Sequence, residues 1–325
     1  MKLSYVLPLR RWRVEPLEEL TAYLRWLAPR AEVIVVDGSA SDVFATHHAA
    51  WGELVSHVPV DPTHDGLYGK VNGVLTGVEA AHHERVVIAD DDVRYDETGL
   101  ARVSALLDDA DLVRPQNYFD PLPWHAQWDT ARTLLNRALG GDYPGTLALR
   151  RSVLLHAGGY DADALFENLE LMRTIRAVGG RVVTPLDLYV RRLPSSAGHF
   201  WSQRVRQAYD DFALPARMAA ELAMLPGAVA VLLRRRPAVL GAAALGSVAA
   251  AEFGRRRAGG APVFPATCSL LAPVWLAERA VCAWVAVWQR LALGGVPYAG
   301  TVLRKAANSE RALRRRLAQG GGTLG

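Results

Sequence analysis

The feature that most constrains this chain is a set of short β-branched runs that stop at aspartate, separated by segments of helical period. Residues 32–36 read Glu-Val-Ile-Val-Val and stop at Asp37-Gly38, and residues 85–89 read Arg-Val-Val-Ile-Ala and stop at Asp90-Asp91-Asp92. Residues 3–9 form a first apolar run ended by Pro8 and an arginine pair, and 53–60 is a further strand candidate. Between them, 15–28 places Leu17, Leu20, Leu24 and Leu27 at helical spacing, and 67–82 reads as a second helix. Short apolar strands alternating with helices predict an α/β fold with a mostly parallel, Rossmann-like sheet. In such sheets ligands bind outside the carboxyl ends of the strands, where Asp37 and Asp90-Asp91-Asp92 stand.

The pattern loosens after 110. Pro115, Pro121 and Pro123 mark 111–124 as a loop, followed by a helix over 125–139. Residues 146–150 and 181–184 read as strands, and 151–157 and 167–178 as helices. No internal repeat is found.

Charge divides the chain in two. Residues 201–325 hold 17 Lys+Arg against 6 Asp+Glu, a net +11, while residues 1–200 are acidic at −7. A basic segment suits nucleic acid or an anionic membrane. Here the arginine clusters 234–236 and 255–257 flank the apolar stretches 222–233, 238–253, 262–277 and 280–293. That arrangement favours a membrane and excludes nucleic acid as the expected partner. A span needs roughly 20 apolar residues, and none of these runs reaches that cleanly, so spanning or half-spanning helices, interfacial helices and a soluble helical bundle all remain open. Arginines on the cytoplasmic side would satisfy the positive-inside rule. Cys268 and Cys282 have no disulfide or zinc spacing and read as buried free thiols. The N-terminal apolar run is too short for a signal peptide, so the first domain is expected in the cytoplasm. The expected organisation is a domain over 1–212, a membrane-associated helical region over 213–310 and a basic, Gly-rich flexible tail over 311–325.

Three groups of residues carry chemistry. A strand ending at Asp90-Asp91-Asp92 turns Asp90 and Asp92 to one side, because neighbours on a strand alternate. Two convergent carboxylates repel, and Mg²⁺ or Mn²⁺ relieves that while bridging a diphosphate. A solvated loop with one aspartate capping the next helix is the plainer reading. At Asp37-Gly38-Ser39 a carboxylate and a hydroxyl can meet a nucleobase or ribose, or simply form a turn and cap. At Gly69-Lys70-Val71-Asn72 a lysine opening a helix can neutralise a diphosphate, or be a surface lysine.

Taken together, in this order and spacing, these groups resemble the inverting GT-A glycosyltransferases that include dolichyl-phosphate mannose synthase, cellulose synthase and ceramide glucosyltransferase. The resemblance runs over about residues 1–210. It continues at Tyr143-Pro-Gly-Thr-Leu-Ala-Leu-Arg-Arg151 and His156-Ala-Gly-Gly-Tyr160, similar to the family's acceptor-side stretch. It implies that Asp37, Ser39, Lys70, Asp90, Asp91 and Gln203 bind the nucleotide sugar, and that Asp92 and Asp90 hold the metal. The family's base position departs from the pattern. Phe166-Glu167-Asn168-Leu169-Glu170 has asparagine where the catalytic aspartate is expected, and an amide cannot act as a base. Glu167 is then the candidate base and Glu170, one helical turn on, the fallback. Gln203-Arg204-Val205-Arg206-Gln207 is similar to the Q-x-x-R-W motif of membrane-bound members, with Gln207 in place of tryptophan. The resemblance implies that Arg206 meets the diphosphate or acceptor; an amphipathic interface helix is the alternative.

The expected activity is metal-dependent, single-displacement transfer of a hexose from a nucleoside-diphosphate sugar to a lipid, lipid-linked or saccharide acceptor at the cytoplasmic face of the cell membrane. Two readings stay beside it. One is transfer to polyprenyl phosphate, which needs no strong base and so accounts for Asn168. The other is a catalytically silent membrane scaffold that keeps the fold. A nucleotidyltransferase is disfavoured because the loop after the first strand, Pro8-Leu9-Arg10-Arg11-Trp12-Arg13, has no glycine.

Overall fold

The strand β1 (Ser4–Leu9) sits in the middle of the sheet because its side chains are apolar on both faces; Tyr5, Val6 and Leu7 are fully buried. It pairs in parallel with β2 (Glu32–Asp37) on one side and with β4 (Arg85–Ala89) on the other, and β2 pairs in parallel with β3 (Ser56–Pro59). Thr146–Arg150 lies antiparallel to β4, and the short strands Leu112–Val113 and Val182–Val183 complete a seven-stranded sheet. This is a computed structural model in which residues 1–298 and 300–320 are described.

The chain runs outward from β1 through β2 to β3, then returns to the other side of β1 as β4. The order therefore reverses between β1 and β4. Helices leave the sheet on opposite sides of such a reversal, which opens a crevice at the carboxyl ends of the two strands. The residues that follow them, Arg10-Arg11 and Asp90-Asp91-Asp92, edge that crevice.

The helix Gly69–Ala80 packs closely on β1 and β2 because its facing side carries glycines one turn apart. A Cβ on Gly77 would stand 2.3 Å from Val6 Cγ1, and one on Gly73 would stand 3.1 Å from Pro8 Cβ. The close approach brings the start of the helix, and with it Lys70, to the carboxyl edge of the sheet.

Two compact units are present. The first comprises Met1–Pro115, Pro144–Val190 and the segment from Asn308 on; the second comprises Gln116–Tyr143 and Arg191–Ala307. Composition predicts boundaries at 212 and 310. In the structure the helix Trp124–Leu139 and the residues from 191 belong with the later helices, and the last segment returns to the sheet unit. That segment is helical over Glu310–Gly320, where the composition suggested a flexible tail from 311.

The second unit is built from Trp124–Leu139, Pro215–Leu233, Pro237–Arg256 and Ala272–Ala292. Two stretches, Pro215–Leu233 with mean hydropathy 1.6 and Pro237–Gly259 with 1.4, are long and apolar enough to cross a membrane. Only 11% and 17% of these apolar windows is buried within the protein. Several charges in this unit are paired. Arg204 lies 3.1 Å from Asp129 and 3.6 Å from Glu278, and Arg217 lies 3.3 Å from Asp211 and 3.1 Å from Glu221.

Candidate functional site

Three charged side chains from distant parts of the first unit meet at the end of β4. Lys70 Nζ lies 2.5 Å from Asp90 Oδ1 and 2.7 Å from Glu167 Oε1. Local structure explains the meeting. Asp90 is the first residue beyond β4, and its N–H donates to the carbonyl of Gly145 at 2.9 Å. Lys70 is the second residue of its helix, reached through a loop tied to 161–163: Tyr68 N–H donates to the Ala162 carbonyl at 2.8 Å and Leu67 N–H to Asp163 Oδ1 at 3.1 Å. Glu167 is the first residue of the helix Glu167–Ala177, where the backbone is only entering helical geometry. Burial works against the Lys70 charge, but Asp90 and Glu167 outweigh it and hold the ammonium pKa well above the ordinary lysine value. Tyr160 lines the same place, and its phenol is pushed up, first by burial and then by the Glu167 carboxylate.

The neighbouring carboxylates are ordered differently. Asp91 Oδ2 lies 3.3 Å from Arg11 Nη2, and the Asp91 carbonyl accepts from Arg94 Nη1 at 2.7 Å. Asp90, Asp91 and Asp92 are all half-buried, hence accessible at the crevice. Together with Glu167 they bring four carboxylates to this edge, beside Lys70, Arg11 and Arg94. The clustered hard oxygen donors fit a divalent metal such as Mg²⁺ or Mn²⁺.

Asp37 has a different setting from the one expected of a ligand contact. Its side chain is fully buried. Oδ1 accepts from the Ser39 N–H at 2.9 Å, and Oδ2 lies 2.6 Å from His47 Nδ1 and 3.2 Å from His57 Nε2. Burial raises the Asp37 carboxyl, but the hydrogen bonds from His57, Ser39 and His47 prevail and hold it well below the ordinary carboxylate range. Ser39 Oγ in turn accepts the Arg11 N–H at 2.8 Å. Asp37 thus fixes the turn after β2 to the loop after β1. Asp37, His47 and His57 also offer three potential metal-ligand atoms within 4.8 Å of one another, but the two histidine nitrogens already hydrogen-bond to Asp37 Oδ2.

The other candidates are placed as follows. Asn168 Nδ2 donates to the Pro144 carbonyl at 2.8 Å. Glu170, fully buried, accepts from Asn308: the N–H reaches Oε2 at 2.6 Å and Nδ2 reaches Oε1 at 2.7 Å. The fallback base is therefore engaged by the C-terminal segment. Gln203 and Arg206 lie in the second unit, where Arg206 Nη1 donates to Gln203 Oε1 at 3.1 Å and the guanidinium sits 5.7 Å from the Tyr298 ring centre. The sequence reading did not single out His47, His57, Arg11 as a partner of Asp91, or Asn308. For Arg11 a signal existed in the arginine pair that ends the first strand.

Comparison with known proteins follows the same outline. Residues 35–114 match the model of glycosyl transferase family 21. No curated protein matches the chain. Among solved structures, a mannosyltransferase from Pyrobaculum calidifontis, in complex with GDP-mannose and Mn²⁺, is 21% identical, with 87% of each chain covered and a TM-score of 0.50. Glucosyl-3-phosphoglycerate synthase from Mycobacterium tuberculosis, with Mn²⁺ and UDP-glucose, is 16% identical over 61% of this chain and 73% of that one, with a TM-score of 0.39. The family match runs from within β2 to Arg114 and so takes in Asp37, Lys70 and Asp90-Asp91-Asp92, and the chain shares the fold of the Pyrobaculum enzyme.

Proposed function

We propose that this chain transfers a sugar from a nucleoside-diphosphate sugar, by a single displacement with inversion, to a lipid or lipid-linked acceptor at a membrane. The observation that carries the reading is the contact of Lys70 with both Asp90 and Glu167. It sets the carboxylate-rich end of β4, where a donor diphosphate would be neutralised, beside a carboxylate suited to take an acceptor proton. Asp92 and Asp90 would hold Mg²⁺ or Mn²⁺, which supplies positive charge to the leaving diphosphate. Lys70 adds a fixed positive charge at the same edge, where charge develops as the sugar leaves. Ser39 and the turn anchored by Asp37 would receive the nucleoside. Glu167, at the first position of its helix, would take the acceptor proton.

The membrane part of the reading is supported by the two apolar helices and their low burial. A cytoplasmic face fits the arginine clusters at 234–236 and 255–257. A phosphate acceptor, such as polyprenyl phosphate, is favoured by one observation of its own: Asn168 serves the Pro144 carbonyl and offers no second carboxylate. A phosphate arrives already deprotonated and needs no base. The test is a thermal-shift panel of nucleoside diphosphates with and without Mn²⁺. Ligands that bind the native state raise its stability, so one nucleotide should raise Tm in a Mn²⁺-dependent manner. No metal-dependent shift with any nucleotide would refute the reading.

A further inference from the structure

The segment from Asn308 is bound tightly at one end and bare at the other. Asn308 makes four hydrogen bonds to three residues of the first unit. Its N–H and Nδ2 donate to the two Glu170 oxygens, Nδ2 also reaches Asp161 Oδ2 at 2.8 Å, and its carbonyl accepts from Arg173 Nη1 at 2.8 Å. Ser309 caps the helix that follows, its Oγ accepting the Ala312 N–H at 3.2 Å. Arg176 pairs with Glu310 at 3.6 Å, and Leu313 is buried. Leu317, one turn further and half-buried, continues the inward face.

The outward face is basic. Arg311, Arg314 and Arg315 are exposed and lie at positions i, i+3 and i+4, which share one side of a helix. Arg314 has only a long contact with Glu310, 3.9 Å; Arg311 and Arg315 make no ion pair among the described residues. From 304 to 316 the chain has six basic side chains and one acidic. An amphipathic helix with an arginine face complements a sheet of anionic phosphate headgroups.

We propose that the helix Glu310–Gly320 docks on an anionic phospholipid surface through Arg311, Arg314 and Arg315. It rests on the membrane reading above. The contact has a consequence for the site. The helix is anchored through Asn308 to Glu170, and so to the helix that begins with Glu167. Lipid contact at the arginines therefore fixes the element that carries the candidate base.

The test is hydrogen exchange on the full chain in nanodiscs of phosphatidylcholine, with and without phosphatidylglycerol. Residues 310–320 should gain protection with phosphatidylglycerol, and raised salt should reduce the gain, because screening weakens exposed charge. The variant R311Q/R314Q/R315Q should lose the gain, while R311K/R314K/R315K, which keeps the charge, should retain it. Unchanged protection of 308–309 in the glutamine variant shows that the segment still folds. Equal protection in both discs, a gain kept by the glutamine variant, a gain lost by the lysine variant, or a response to added RNA in place of phosphatidylglycerol would each overturn the proposal. None of these readouts uses sugar transfer, so a failure here and a failure of the glycosyltransferase reading are seen separately.

Discussion

Lys70 Nζ donates to Glu167 Oε1 at 2.7 Å, joining the start of one helix to the start of another 97 residues later. The same ammonium meets Asp90, so one cation holds together the end of a strand and the first turns of two helices.

Removing that cation should destabilise the fold. In Lys70→Met, Asp90 and Glu167 are left facing each other in a site where Glu167 keeps about a tenth of its side-chain exposure, at 10%, and Asp90 21%. Breaking a buried pair costs roughly 3–5 kcal/mol, and partial exposure reduces this to about 1–3 kcal/mol. Urea unfolding measures it, and the double variant Lys70→Met/Glu167→Gln should recover part of the loss. A Lys70→Met protein as stable as the wild type would show that the contact carries no net stabilisation.

Asp92→Asn should leave the fold intact and remove the Mn²⁺-dependent part of nucleotide affinity, a loss of at least about tenfold, or roughly 1.4 kcal/mol. Calorimetric titration of the nucleoside diphosphate with and without Mn²⁺ checks this. Unaltered metal-dependent affinity would take Asp92 out of the metal site.

Glu167→Gln tests the base. A general base contributes about 10²–10⁴-fold in rate. With a hydroxyl acceptor, kcat should fall by that order and nucleotide affinity should hardly change. Near-normal kcat would exclude Glu167 and shift the role to Glu170 or point to a phosphate acceptor. Loss of nucleotide binding as well would make Glu167 structural.

Asp37→Asn should cost about 1–3 kcal/mol of stability, because a buried charged acceptor of several hydrogen bonds is lost. The pH dependence has a definite sign. The folded Asp37 carboxyl is held below its unfolded value of about 3.9. Its contribution is therefore present above roughly pH 4 and fades as the pH falls below that value. The stability gap between wild type and variant should shrink in acid; a gap that widens there would contradict the assignment.

Sodium carbonate washing distinguishes spanning helices from surface attachment. The full chain should stay with the membrane and need detergent for release, given two apolar helices of 19 and 23 residues. Recovery in the carbonate wash would leave only an interfacial mode.

How much of this was legible in the sequence depended on where each residue stands in its element. Strand 85–89 was readable to the residue because charged neighbours bound an unbroken apolar run. The helix Gly69–Ala80 was readable within two residues. The helix Ser41–Trp51 was not, because its buried face is Val43, His47 and Trp51, and a histidine interrupts the apolar period. Glu97–Leu106 was also missed, although Asp96 caps it by accepting the Gly99 N–H at 2.6 Å. Asp37, Lys70, Asp90 and Glu167 stood out because each lies at the end of a regular element. His57, Arg11 and Asn308 gain their roles from contacts 20, 80 and 138 residues away, and no local pattern announces those.

The central claim is nucleotide-sugar transfer, and release of nucleoside diphosphate tests it most directly. The full chain would be assayed in membranes against a panel of nucleotide sugars with Mn²⁺, with product release followed as lipid acceptors are added. The account predicts one donor whose diphosphate is released in a metal- and acceptor-dependent way, with the release abolished in Asp92→Asn. No release from any donor, or release untouched by Asp92→Asn and by removal of the metal, would contradict it.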